Sequence, residues 1–254
     1  MPPPPVPLVD LVRHLDDLLE IDRFDDHAPN GLQVEGRPEV ARVVTGVSAN
    51  GALIAAAVAA GADALLVHHG FFWRREARTV VGHRAARLGA LLGAGTSLLA
   101  YHLPLDAHAP LGNNAALLDA VGAGEGTPFG GRPGIGRIAA LPSPRSLAAV
   151  LDDLTAVLGR PPRTFPGGPD RVATVAAVSG GGAGYLEEAA ALGADLFVTG
   201  EPAEPTQGLA AELGVTVAAG GHHATERLGV QRLGAALAAR FGLDVRFLDV
   251  DNPV

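Results

Sequence analysis

Apolar and polar positions change period several times along the chain, and each change marks an element. Leu8, Leu11, Val12, Leu15, Leu18 and Leu19 recur at three- and four-residue spacing with Asp16, Asp17 and Glu20 opposite, which predicts an amphipathic helix. Residues 25–36 lose that period and carry an Asn30-Gly31 turn signal, so they read as loop. Short continuous apolar runs at 43–47, 64–67 and 98–100 read as buried strands. Between them lie helical stretches at 52–60, ended by Gly61, and around 84–92. Strands alternating with helices predict an α/β architecture with a largely parallel sheet. Ligands of such sheets collect beyond the carboxyl ends of the strands.

A glycine-rich stretch at 122–136 reads as a boundary, and a second α/β run follows it. It comprises a strand at 138–141, a helix at 146–158 that Ser143 or Ser146 would cap, and a Pro/Gly-rich loop at 161–169. Next come a strand at 172–178, a glycine loop at 180–184, a helix at 186–191 and a strand at 195–199. A strand at 215–217 then leads into a helix running from His222 through Leu233 and Leu237. The two runs echo each other. Val47-Ser48, Gly61-Ala62-Asp63 and His68-His69 correspond to Val178-Ser179, Gly193-Ala194-Asp195 and Gly200-Glu201, at an offset of about 132 residues. A second echo relates His102-x-x-x-Asp106 to His222-x-x-x-Glu226. The repeat predicts two related α/β halves, with metal ligands kept mainly by one.

The strand ends carry the chemistry. His68 and His69 follow one apolar run, His102 and Asp106 another, and His222, His223 and Glu226 a third. Two adjacent imidazoles at a strand end are poor packing groups, since each must find a hydrogen bond or a metal. His222 and Glu226 share a helix face by their four-residue spacing. Three imidazoles and two carboxylates (His68, His69, His222, Asp106 and Glu226) exceed what one catalytic zinc needs, and suit two metals sharing a water. Each piece also has a plainer reading: a capped surface helix for His222-x-x-x-Glu226, a capped turn for Asp106. Their joint occurrence favours the metal. His102 reads either as a support for the ligands or as a group facing substrate. Phe71-Phe72-Trp73-Arg74-Arg75 either clamps a planar anion through Trp73 or packs in a core or subunit interface. Arg227 either holds a phosphate or pairs with a nearby acid, and Gly180-Gly181-Gly182 either cradles a phosphate or makes a tight turn. His14, His27 and His83 have no ligand context, while His108 and His223 lie close to candidate ligands.

Composition narrows this picture. The chain has 254 residues, 48% of them hydrophobic and only 4% aromatic, so its cores are expected to be built of small side chains. A net charge of −8 argues against a broad nucleic-acid surface. With no cysteine, any metal must be held by nitrogen and oxygen, which suit Zn, Fe, Mn or Co. No apolar stretch reaches a membrane span, and the opening Met1-Pro2-Pro3-Pro4-Pro5 has no basic or apolar leader, so a cytoplasmic protein is expected.

Five segments resemble the Nif-three-like family, in its YbgI-type bacterial branch labelled GTP cyclohydrolase 1 type 2 homologs. They are Asn30-Gly31-Leu32-Gln33-Val34-Glu35-Gly36, Val67-His68-His69-Gly70-Phe71-Phe72-Trp73, His102-Leu103-Pro104-Leu105-Asp106-Ala107-His108 with Gly112-Asn113-Asn114, Thr199-Gly200-Glu201, and Gly221-His222-His223-Ala224-Thr225-Glu226-Arg227. The resemblance implies two similar three-layer α/β/α domains, the second (126–215) inserted into a metal-binding first (1–125 plus 216–254). It implies a dinuclear site on His68, His69, Asp106, His222 and Glu226, with His102 as a substrate-facing or proton-transfer group. It also implies a homo-oligomer in the form of a hexameric ring. The leading expectation is a metal-dependent hydrolase of a nucleotide-like or phosphorylated small molecule. The competing one is a non-catalytic metal-binding scaffold or metal-insertion protein.

Overall fold

The computed structural model describes residues 4–254; Met1–Pro3, which open the proline run, lie outside the described residues. β1 (Val6–Pro7) leads into α1 (Leu8–Leu19), which buries Leu8, Leu11, Leu15 and Leu19, the stripe expected from spacing. β2 (Gly31–Val34), β3 (Glu39–Val40) and β4 (Arg42–Ser48) follow. α2 (Gly51–Ala59) is started by Asn50, whose side chain accepts the Leu53 N–H at 2.9 Å. β5 (Ala64–His69), α3 (His83–Ala94), β6 (Ser97–Ala100), α4 (Leu103–Ala107) and α5 (Asn113–Ala120) come next. Beyond β7 (Thr127–Phe129) and β8 (Gly136–Ser146), α6 (Leu147–Leu158) is capped by Ser146 Oγ, one of the two serines expected there. The chain ends with β9 (Arg163–Phe165), β10 (Arg171–Val178), α7 (Leu186–Ala191), β11 (Leu196–Thr199), α8 (Thr206–Leu213), β12 (Thr216–Ala219), α9 (His222–Phe241) and β13 (Asp244–Phe247).

Two compact units share the chain: Met1–Leu105 with Val230–Asp251, and Asp106–Gly229 with Asn252–Val254. The second is inserted into the first, and the boundaries fall inside α4 and α9. It is wider than the 126–215 expected from sequence for two reasons. α5 packs on β8 and β10, and β12 pairs with β11 rather than joining the first sheet.

The first unit's sheet has the order β13-β4-β5-β6-β2, parallel except for β2. Ala64, Leu65, Leu66 and Val67 of β5 are all buried, as a strand covered on both faces requires. One face packs Leu53, Ile54 and Ala57 of α2 and Leu91 of α3 against Leu65, Val67 and Leu98. Each such buried leucine is worth about 1.5–3 kcal/mol. On the other, α9 comes close enough to β4 and β13 that a Cβ at Gly234 would meet Thr45 Cγ2 at 3.0 Å and Val245 Cγ1 at 3.1 Å. β2 occupies part of the stretch expected as loop. Its four residues bury only their ends, too short an alternation to stand out in sequence.

The second unit's sheet has the order β7-β8-β10-β11-β12-β9, with a parallel centre and antiparallel edges. α5 and α6 cover one face through Leu117, Leu118, Val150, Leu154 and Leu158. α7 and α8 cover the other through Leu186, Ala189 and Ala210, which pack with Phe197 and Val217. Each sheet thus lies among helices, the α/β class expected.

The repeat is structural. Asp63 Oδ2 accepts from Ala41 N–H at 3.0 Å and Arg42 N–H at 2.9 Å, and Asp195 Oδ2 accepts from Ala173 N–H at 2.7 Å and Thr174 N–H at 3.0 Å. In the backbone, Tyr101 N–H bonds Val67 O at 3.0 Å where Gly220 N–H bonds Thr199 O at 2.8 Å. Counting on from those bonds sets His102 against Gly221, one residue short of the His102–His222 echo read from sequence.

Candidate metal centre

In the first unit, the end of β5 and the turn after β6 bring three imidazoles together. One ring nitrogen from each of His68, His69 and His102 lies within 4.8 Å of the others. The rings of His68 and His69 are 4.7 Å apart, and that of His102 is 5.0 Å and 5.6 Å from them. Trp73 stands beside the cluster, 5.7 Å from His69 and 5.3 Å from His102. Each imidazole is held by its Nδ1. His68, fully buried, bonds the Tyr101 carbonyl at 2.9 Å, His69 bonds Ser48 Oγ at 3.0 Å, and His102 bonds Asp26 Oδ1 at 2.7 Å. A carbonyl and a carboxylate only accept, so His68 and His102 carry their hydrogen on Nδ1 and their Nε2 is left as the ligating or basic nitrogen.

Asp26 is 7% exposed, and burial works against its charge. The His102 hydrogen bond and charge, with bonds from Asn30 and Leu103, outweigh that and hold its carboxyl well below the usual carboxylate range. A cavity of about 510 Å³ opens beside it, bordered by Phe24, Asp25, Asp26, Asn30 and Arg74, and its size is that of a small-molecule pocket.

The second unit contributes an oxygen-rich set. Asp106 on α4 is buried, and its Oδ1 accepts from Asn113 Nδ2 and Ser179 Oγ, both at 2.8 Å. A carboxylate oxygen of Asp106 and one of Glu226 lie within 4.8 Å of each other. His222 and Glu226 open α9 one turn apart, with Nε2 3.1 Å from Oε1. Glu201, just past β11, accepts from His222 Nδ1 at 2.5 Å. The bond of His222 with Glu226, opposed by burial and aided by Glu201, pushes the imidazole up to about 9. A cation taken up at Nε2 must therefore displace a proton.

The residues fit a metal in chemistry and in space. Both sets are nitrogen and oxygen donors, anchored from behind by hydrogen bonds as metal ligands characteristically are. Gly180 (φ +57°) follows β10, and a Cβ there would sit 2.2 Å from Glu226 Oε1 and 3.0 Å from His222 Nε2. Only glycine leaves the donors their room. The glycine loop at 180–184 thus serves the donors. Its Gly180 carbonyl also accepts the Glu201 N–H at 2.9 Å, and no phosphate cradle is needed to explain it.

Other expectations fare differently. Of the candidate ligands, His68 and His69 belong to the first unit and Asp106, His222 and Glu226 to the second, where the repeat in the sequence led to the expectation that one half keeps most of them. Arg227 donates to the Leu158 carbonyl at 2.8 Å at the end of α6, so the phosphate contact expected of it has no support in that bond. His14 packs edge-on against Phe241, and His223 N–H bonds the Val254 carbonyl at 2.9 Å. Asp26, Ser48, Ser179 and Glu201 were not singled out as functional from sequence. Three of them stand in the repeat, Ser48 matching Ser179 and Glu201 standing where His69 stands in the first run; Asp26 has no such signal.

Among families, the model described as Duf34/NIF3 (NGG1p interacting factor 3) matches residues 6–253. A relative from Allochromatium vinosum, named GTP cyclohydrolase 1 type 2 homolog, is 48% identical over 247 residues, covering 96% of each chain. A Pseudomonas aeruginosa protein of the same name is 45% identical over 250 residues, 98% of this chain and 99% of its own. Two solved structures are close in fold. One, described as protein ybgI of unknown function, is 40% identical with a TM-score of 0.91, over 98% of this chain and all of its own. The other, from Thermus thermophilus, is 41% identical with a TM-score of 0.91 and the same coverage.

Proposed function

This chain belongs to the Duf34/NIF3 family, and from that premise we propose that it is a dinuclear-metal-dependent hydrolase of a nucleotide-like or phosphorylated small molecule. The observation that carries the reading is the anchoring of the donors. His68, His102 and His222 are tied through Nδ1 to pure acceptors, the Nε2 of His222 faces the Glu226 carboxylate, and Asp106 and Glu226 add hard oxygen. The proposed ligands are His68, His69, Asp106, His222 and Glu226, with Zn, Fe, Mn or Co as candidates. Two divalent cations bound there would supply Lewis acidity and lower the pKa of the water they hold.

The chain's own groups do the rest. His102 Nε2 takes or returns the proton that hydrolysis moves, at a ring fixed from behind. Trp73, tilted against His69 and edge-on to His102, offers an aromatic ring beside the cluster to a planar group such as a base. The relatives' name points to GTP, and opening of a purine ring with release of formate is the most specific form of the reading. Assembly into a homo-oligomeric ring, and residence in the cytoplasm, belong to the same proposal.

The test is metal analysis of the purified protein beside His222→Ala and Glu226→Ala, with a screen of nucleotides and phosphoesters. About two equivalents of divalent metal per chain are expected, falling by at least one in each variant. Metal content unchanged in both variants overturns the ligand set. Retained metal with no turnover on any substrate class supports the non-catalytic scaffold instead.

A further inference from the structure

Asp26 stands outside the proposed ligand set, yet it is buried at 7% exposure and its carboxylate is filled with donors. Oδ1 accepts the His27 N–H at 2.5 Å and bonds His102 Nδ1 at 2.7 Å. Oδ2 accepts the Leu103 N–H at 2.9 Å and Asn30 Nδ2 at 3.0 Å. Asn30 Oδ1 in turn accepts the His102 N–H at 2.7 Å. His102 is therefore held twice by the loop before β2, at its backbone and at its ring. Three backbone N–H groups, with that of Ala28 at 3.4 Å from Oδ1 the third, and an amide already donate to Asp26, so its carboxyl has no place for a hydrogen of its own and must be the acceptor toward His102.

We propose that Asp26 is a positioning residue that fixes His102 as the Nδ1–H tautomer and so reserves Nε2 for proton transfer, a purpose that rests on the hydrolase reading above. The alternative is that Asp26 merely caps the turn at Leu103. A cap would need the Leu103 N–H alone and would leave the imidazole free to choose its tautomer. A carboxylate 2.7 Å from Nδ1 does not leave that choice.

The experiment is a long-range 1H–15N correlation of the histidine rings in the full-length, metal-free protein, with His102 assigned by its disappearance in His102→Gln. Nδ1 of His102 is expected to be protonated in the unaltered protein. In Asp26→Ala, which removes the acceptor, the Nε2–H form should become the major neutral species. An unprotonated Nδ1 in the unaltered protein overturns the proposal, and this outcome needs no Asp26 variant to fold. So does an unchanged tautomer in a folded Asp26→Ala.

For any substrate the metal-loaded protein turns over, Asp26→Ala should lower kcat about 10–100-fold with KM nearly unchanged. An unchanged kcat beside a switched tautomer removes the catalytic purpose and leaves the hydrolase reading standing. Absence of turnover in the unaltered protein sinks the hydrolase reading, and with it that purpose, while the ring measurement still decides the tautomer.

Discussion

Gly180 concentrates the site's steric demands in one residue that offers no ligand atom. Its φ of +57° already disfavours a side chain, and a Cβ would sit 2.2 Å from Glu226 Oε1. Gly180→Ala is therefore expected to destabilise the fold by about 1–3 kcal/mol and to weaken metal binding at least tenfold. Thermal unfolding with and without metal, together with a metal titration, checks both, and a variant that binds metal like the unaltered protein would contradict the assignment. The candidate ligands were legible in sequence because histidines and carboxylates are rare where apolar strands stop. Their supports were not. Asp26 is 76 residues from His102 and Glu201 is 21 from His222, and a hydrogen bond between distant residues leaves no periodic trace.

At the scale of elements, the repeat is more than similar lettering. Asp63 and Asp195 perform the same task, each accepting two backbone N–H groups at the start of the preceding parallel strand. Asp63→Ala and Asp195→Ala should each cost about 1–3 kcal/mol, since each orphans two donors at a strand entry. Urea unfolding of the two variants measures this, and a negligible loss for either would show the two aspartates to be unlike. α1, α2, α6, α7 and the central strands were readable from period and caps. α5, α8, β9 and β13 were not. β9 and β13 have three and four residues, and α5 has buried residues on nearly every side, so none presents a clear period.

For the whole molecule, 27 acidic against 19 basic residues make acid the condition that tests the fold most directly. Asp26 is ionised more readily in the folded chain than its unfolded value of 3.8, so its contribution is full above that pH and is lost as pH falls below it. Asp26→Asn should therefore be less stable than the unaltered protein by about 1–3 kcal/mol near neutral pH, with the gap closing in strong acid. Chemical unfolding across pH 2–6 reads that gap; a constant difference would mean the carboxylate's charge is not what Asp26 contributes. The division of the chain was harder to foresee than its fold class. Sequence places a boundary where glycine collects, at 122–136, whereas the units divide inside two helices, whose regular pattern hides any border.

α9 runs unbroken from His222 to Phe241, carrying the donor pair in its first turns and the buried stripe Val230, Leu233 and Leu237 further along. A helix turns about 100° per residue, so donors and stripe share one rotational phase. Substitutions between them leave that phase alone. A single inserted or deleted residue after Arg227 would swing His222 and Glu226 about a quarter of a turn relative to the stripe. The spacing between the two is a clockwork quantity, set by the number of residues and not by their side chains.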